Sequence, residues 1–421
     1  MALAPGKGAG MKILVLNSGS GSQTCSLFDL AAAPDQLQSP REPIWEARVE
    51  TTSLDGKAIR RDLTISREGK EIEQRPVETD RPMTDVLRSL IEDLCGDEKP
   101  IRSPAEVNAV GHRVVHGGRD FRGATVIDDQ VEEKIHELAA FAPLHNPSNL
   151  EGIRIARELF PDARQIAVFD TSFHQSLSDA ASIYPGPLQW QDQGIRRYGF
   201  HGTSFRWSMA RAAQILGKPA DRLRLIVCHL GGGCSLGAIK KGKSVDTTMG
   251  FTPIDGIAMS TRSGGLDPGI LLYLLRQGMG IDDLEATLNK RSGLAGLSGL
   301  PGDTRIIEAE IAKGNPRAAL ARAVFVHRLC AGIGQMIAAL AEKPDAIIFT
   351  DVIGLSDPQI RRLACEPFRF LGADLDPALN AASPVDTDVS TAESEVRILV
   401  IKAREAWQIA LDCLAIEPIQ T

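Results

Sequence analysis

"LRLIVCHLGGGCSLGAIKKGKSVDTT", residues 223–248, runs an apolar stretch into three consecutive glycines and then into a segment where apolar and small residues alternate. That order reads as buried strand, glycine loop, second strand, because a period of two resumes at Ser235–Ile239 and a further turn falls at Lys240–Lys243. The same arrangement occurs near the start of the chain, in "MKILVLNSGSGSQTCSLFDL", residues 11–30. In neither place is a helix signalled directly behind the glycines, as a dinucleotide-binding or P-loop site requires. Gly237–Ser244 does match the P-loop pattern GxxxxGK[ST], but "VDTTMGFTP" follows it, β-branched and containing Gly250 and Pro253. The "KKGK" is therefore expected to be a hairpin turn.

Between and after the two loops the period changes. "VEEKIHELAAFA" (131–142), "NLEGIRIARELF" (149–160) and "ALARAVFVHRLCAGIGQMIAAL" (319–340) carry helical spacing, whereas "RQIAVFD" (164–170) and "DAIIFT" (345–350) read as strands. Strands alternating with helices indicate α/β architecture. The repeated glycine hairpin predicts two related α/β halves facing one another, each offering a loop to a shared cleft. A chain of 421 residues exceeds what one core usually supports, which also favours two domains.

Composition narrows the function classes. Apolar residues make up 43% and charged residues 24%, ordinary for a globular chain, and no stretch reaches the ~20 apolar residues of a membrane span. A net charge of −7 argues against a general nucleic-acid binder, though a basic cleft could hold a small anion. Seven cysteines without a CxxC pair suit a reducing compartment, so a cytoplasmic location is expected. "MALAPGKGAG", residues 1–10, lacks the apolar core of a signal peptide and is expected to be a disordered leader.

Backbone N–H groups bared by glycines form anion nests, so His229 with Gly231, Gly232 and Gly233, and Ser20 with Ser22 in the first loop, are candidates to cradle phosphate. Further polar residues stand at strand ends and turns: Arg113 in "VGHRVVHGG" (110–118), His145 in "APLHNPSN" (142–149), Asp170 in "VFDTSFH" (168–174), His201 in "RRYGFHGTS" (196–204) and Arg262 in "STRSGGLDPG" (260–269). A guanidinium on a strand among valines should face an anion, since an unpaired buried charge is costly. The bland alternatives are that a lone histidine is a hydrogen-bonded structural residue and that Asp170 is a cap.

The long motifs "GHRVVHGG", "RRYGFHGTS" and "VDTTMGFTP" give the chain a resemblance to the acetate kinase family, of the actin, sugar kinase and Hsp70 superfold, from Met11 to about residue 415. The resemblance implies two duplicated ribonuclease H-like (actin-like ATPase) domains with a cleft between them: 11–170, completed by a C-terminal helix 405–421, and a nucleotide-binding domain 171–404. It implies reversible transfer of the γ-phosphoryl of ATP to acetate, giving acetyl phosphate and ADP, with Mg²⁺ or Mn²⁺, in a homodimer with neither nucleic-acid nor membrane partners. Carried over position by position, Arg113 and Arg262 would flank the phosphoryl and the carboxylate, with His201 and His145 at the same transition state. Asp170 would position an arginine or a metal-bound water, and Asn17 and Glu405 would help place the metal. Val115, Leu144, Phe200 and Pro253 would receive the acetate methyl. Asp303, Thr304 and Arg305 in "GDTR", together with Ile353 and Gly354, would meet the nucleotide.

Departures from the family pattern concentrate on the donor side. Thr24 stands where a lysine belongs, Gly232 where an asparagine belongs, and "FTDVIGLSD" (349–357) replaces "FTAGIGENS". Val352 is expected to crowd a space left by glycine, and Leu355 and Ser356 remove a carboxylate and an amide, so ATP binding should be weak. A kinase of another short carboxylate, one using pyrophosphate, and a catalytically weak phosphate-ligand binder are the rival readings.

Overall fold

The computed structural model describes residues 10–18, 22–30, 39–54 and 57–416. The leader, apart from Gly10, and Ser20 lie outside them. The chain divides into two units, one of Met1–Thr52, Ala58–Ser172 and Arg404–Thr421, the other of Ser53–Lys57 and Phe173–Ala403.

The sheet of the first unit is built from β1 (Met11–Ser18), β2 (Ser22–Leu30), β3 (Trp45–Leu54), β4 (Lys57–Arg67), β5 (Lys70–Pro76), β6 (Val107–Val114), β7 (Thr125–Val126) and β8 (Arg164–Phe169), in the order β5-β4-β3-β2-β1-β6-β8-β7. The second sheet contains β9 (Arg224–Leu230), β10 (Cys234–Lys240), β11 (Lys243–Thr247), β12 (Ala346–Thr350), β13 (Thr387–Asp388) and β14 (Arg397–Ile401), in the order β11-β10-β9-β12-β14-β13. One pattern underlies both. β3-β2-β1 and β11-β10-β9 are antiparallel, and β1-β6-β8 and β9-β12-β14 continue in parallel. The duplication read from the glycine hairpins is thus a duplication of five-stranded topology. Lys241 and Gly242, both at positive φ, close the β10–β11 hairpin, and Lys243 opens a strand rather than a helix, which disposes of the P-loop match.

Parallel central strands are covered on both faces, and their sequences are apolar throughout for that reason. On one face of the first sheet Leu14, Leu16, Leu27 and Val110 pack with Val86, Leu87, Leu90 and Ile91 of the helix Met83–Glu92 and with Ile155 and Ala156 of the helix Asn146–Leu159. On the other lies the helix Glu405–Ala415. It comes so close that a Cβ on Gly111 would stand 2.7 Å from both Cys413 Sγ and Ile409 Cγ2. Glycine in mid-strand is what lets that helix seat and fixes its first residue, Glu405, at the end of the sheet.

In the second unit, Pro316–Leu340 is long and apolar enough to cross a membrane. That differs from the expectation that no stretch is, because the count of consecutive apolar residues missed a helix whose few charges are spread out. Its buried side chains, among them Ala321, Phe325, Leu329, Ile333 and Met336, pack into the core, and it contacts β10 and the helix Gly293–Ser298.

Candidate functional site

In the second unit the loop between β9 and β10 is three glycines long, with Leu230 paired to Cys234 across it. Gly231 N–H donates to the Gly233 carbonyl at 3.1 Å, which leaves Gly232 exposed at the tip. Two of these glycines lie close against side chains. A Cβ on Gly233 would stand 3.3 Å from His201 Nε2 and 3.5 Å from Arg262 Nη1, and one on Gly231 would run into Asp351 Oδ2. The loop therefore holds bare backbone against an imidazole, a guanidinium and a carboxylate.

His201 precedes the helix Gly202–Leu216 with φ at +58°, a left-handed conformation that histidine tolerates better than most side chains. Its turn is pinned from behind by His174, whose Nε2 lies 3.0 Å from the Phe200 carbonyl and whose Nδ1 lies 2.8 Å from Ser244 Oγ. Burial pushes the His174 pKa down to about 4. The ring is neutral at physiological pH, and facing a carbonyl it donates from Nε2. His201 Nδ1 meets Ser235 Oγ at 2.8 Å, and its ring stacks on His229 with centroids 4.1 Å apart. His229 Nδ1 is 2.9 Å from Ser204 Oγ, and its Nε2 is 3.3 Å from Asp351 Oδ2. Opposite a carboxylate oxygen Nε2 carries a hydrogen. Each imidazole thus has a serine on one nitrogen and points the other toward the loop.

Buried Arg262 donates from Nη1 to the Pro253 carbonyl at 3.3 Å. Thr203 Oγ1, at the N-terminus of the Gly202–Leu216 helix, is buried with no hydrogen-bond partner among the described residues. An orphan hydroxyl in the first turn of a helix, two residues after His201, suits an anion site. The Cys234 thiol, pushed up to about 12 by burial, offers no nucleophile there.

Of the expected nucleotide contacts, Asp303 caps the helix Thr304–Ala312 by accepting from Arg305 N–H at 2.9 Å and also pairs with Arg305 Nη2 at 2.6 Å, which holds its carboxyl below the usual range. Thr304 is buried and Arg305 exposed. Ile353 and Gly354 are buried in the helix Asp351–Ser356. Arg361, fully buried, donates to the Gly354 and Leu355 carbonyls at 2.8 Å each and fixes that helix's end. Val352 is half-exposed. The side chain that lies on the glycine loop is that of Asp351, which the sequence reading did not single out.

In the first unit four residues converge at the carboxyl ends of β1, β6 and β8, where ligands bind in open α/β sheets. Arg113 Nε donates to Asp170 Oδ1 at 2.9 Å and Nη2 to Oδ2 at 2.7 Å, a bidentate pair. Its Nη1 donates to Asn17 Oδ1 at 3.0 Å and lies 3.5 Å from Glu405 Oε2, which also accepts from Asn17 Nδ2 at 3.0 Å. The arginine meets an internal carboxylate, and the backbone continues the clamp, since Asp170 N–H donates to Val114 O at 3.0 Å. One guanidinium against two carboxylates leaves a net negative charge lined by hard oxygen atoms, a donor set that fits Mg²⁺ or Mn²⁺. Among the described residues no group of three or more His, Cys, Asp or Glu could hold a metal alone.

The neighbours of Arg113 take the bland role. His112 lies 2.8 Å from Gln165 Oε1, and burial pushes its pKa down to about 4, while His116 Nδ1 accepts from Gly118 N–H at 3.1 Å. His145 precedes the helix Asn146–Leu159 and is only half-buried. Of the expected methyl-binding residues, Val115, Phe200 and Pro253 are buried and Leu144 is 42% exposed. Ser22 is half-buried at the start of β2.

The chain matches the Acetokinase family over residues 12–411. It is 46% identical to the acetate kinase of Microcystis aeruginosa over 97% of this chain and all of that one, and 48% identical to that of Gloeobacter violaceus over 96% and 98%. Among solved structures it resembles the acetate kinase of Porphyromonas gingivalis (TM-score 0.82) and a propionate kinase of Francisella tularensis (TM-score 0.83), each 34% identical over 96% of this chain and 98% of the other.

Proposed function

The chain belongs to the acetokinase family, and we propose on that premise that it catalyses the acetate kinase reaction, reversible transfer of the γ-phosphoryl of ATP to acetate giving acetyl phosphate and ADP. Its fold is the two-domain α/β fold of the actin-like ATPases, and the functional halves are taken as 11–170 with the helix from 405, and 171–404. The observation that carries the mechanism is the glycine loop of the second unit, where Gly233 brings bare backbone onto Arg262 and His201. The Gly231 N–H is taken by the Gly233 carbonyl, so the rest of the loop backbone, with His201 and the Arg262 guanidinium, is what can meet phosphate.

Phosphoryl transfer asks a protein for positioning and charge neutralisation more than for covalent help. Acetate is already an anion and needs no general base. Arg262 and His201 act on the phosphoryl oxygens, and Arg113, held rigid by Asp170, acts on the carboxylate and phosphoryl charge. A divalent cation bound with the nucleotide would neutralise phosphate charge, and Asn17 and Glu405 are the residues that would hold it, with Asp170 positioning Arg113, Mg²⁺ being the proposed metal. Asp303, Thr304, Arg305, Ile353 and Gly354 serve the nucleoside. The test is direct. Purified protein with ATP, Mg²⁺ and acetate should yield acetyl phosphate trapped as its hydroxamate, and no hydroxamate above a no-enzyme control at saturating substrates would sink the reading.

Val115, Leu144, Phe200 and Pro253 as the acceptor's apolar contacts discriminate only by size, at ~1–3 kcal/mol per methylene. Acetate should therefore exceed propionate in kcat/KM by only about tenfold. Competition assays with the two acids check this, and a preference for butyrate would remove these residues from the acceptor site.

A cytoplasmic homodimer completes the proposal. All seven cysteines are free thiols, as a reducing compartment allows. Supporting the dimer is the helix Pro268–Arg276, in which no residue is buried while Ile270, Leu272 and Tyr273 are exposed, with Leu266 and Ile281 exposed on its flanks. Leu272→Asp with Tyr273→Asp should raise the dimer dissociation constant at least about tenfold, as burial of such side chains implies. Light scattering across a dilution series reads the change, and an unaltered mass would place the interface elsewhere.

A further inference from the structure

Asp351 occupies ground that the donor's phosphates need. Its carboxylate is seated over Gly231, so that a Cβ there would collide with Oδ2, and the same Oδ2 lies 3.3 Å from His229 Nε2. The placement is built in. Thr350 pairs with His229 in the parallel β9–β12 ladder, so the next residue emerges beside the glycine loop. Asp351 sits there with φ at +63°, where few side chains other than aspartate and asparagine are tolerated. His229 cannot turn away, because Ser204 Oγ holds its Nδ1 at 2.9 Å and His201 stacks on its face.

We infer that Asp351 is an internal competitor for the phosphate subsite, a specificity-determining residue that a donor's polyphosphate must displace from the glycine loop and from His229 Nε2. The inference rests on the phosphate-binding role given to that loop. Two anions cannot share one loop and one N–H donor without mutual repulsion, which is strong in a partly buried site. The competition is for phosphate, not for base or ribose, so it weakens ATP, GTP and inorganic pyrophosphate by a similar factor and leaves the acceptor untouched. It also assigns the expected weakness of donor binding to Asp351 more than to Val352.

The decisive variant is Asp351→Asn, which keeps shape and the left-handed backbone and removes the charge; Asp351→Gly keeps the backbone and removes the side chain as well. The readouts are steady-state KM for ATP, GTP and acetate, and calorimetric Kd for inorganic pyrophosphate. In the asparagine variant the ATP and GTP KM and the pyrophosphate Kd should each fall by about tenfold, the effect of roughly 1.4 kcal/mol, with the acetate KM unchanged. The glycine variant should fall at least as far. Donor constants that stay level or rise in both variants would overturn the inference and make Asp351 a brace for His229. Failure of the functional reading looks different, because pyrophosphate would then tighten in the variants while the natural protein makes no acetyl phosphate.

Discussion

Arg262→Ala is expected to lower kcat for acetyl phosphate formation at least ~100-fold, the scale of one lost transition-state donor, while the KM for acetate changes far less. The reason lies in where the guanidinium is held. It is buried, its Nη1 would be 3.5 Å from a Cβ on Gly233, and His201 Nε2 approaches the same point at 3.3 Å. Charge spreads over the equatorial oxygens as the phosphoryl moves, so a donor fixed at the loop is worth more in the transition state than in the ground state. Arg262→Lys should fall between, because an ammonium keeps the charge but loses the planar fork. The bond to the Pro253 carbonyl could make the loss structural, and measuring kcat at saturating substrate beside the thermal midpoint separates the two. A variant with wild-type kcat and a lowered midpoint would reduce Arg262 to a loop tether.

Residues whose local chemistry allows one outcome were the ones legible in the sequence. "LRLIVC" reads as a strand and "GGG" behind it as bared backbone, with a pair of tight turns as the alternative, and β9 with a close-packed glycine loop is what the structure has. Arg113 had to face an anion, and Asp170 at the end of the next parallel strand is that anion. Strands β4 and β5 gave no such signal. The sequence "KEIEQRP" of β5 is exposed at every residue, so it carries no alternation for a hydrophobic pattern to reveal. Asp351 was legible only as a substitution in "FTDVIGLSD". Its position over Gly231 comes from the Thr350–His229 pairing, a register between strands more than a hundred residues apart that no local pattern encodes. Thr203 went unnoticed for a similar reason, since its hydroxyl is informative only once burial has denied it a partner.

Arg113→Ala should be damaging on two counts, and the two can be pulled apart. Asp170 is 1% exposed and accepts from Arg113 twice over, so removing the guanidinium takes the cation from a buried ion pair, at a cost of ~3–5 kcal/mol. The Asn17–Glu405 contact loses its cation in the same stroke. The thermal midpoint of the first unit should fall and kcat should drop at least ~100-fold, but the second effect is uninterpretable while the first is present. Arg113→Met combined with Asp170→Leu removes both charges and fills the volume, and replacing a buried ion pair in this way is often neutral or stabilising. The double variant should therefore regain most of the lost stability and yet remain at least ~100-fold down in kcat, because no guanidinium is left to meet developing charge. Calorimetry and the hydroxamate assay on the same preparations decide it. Should activity return together with stability, the pair is scaffold alone and Arg113 meets no transition-state charge.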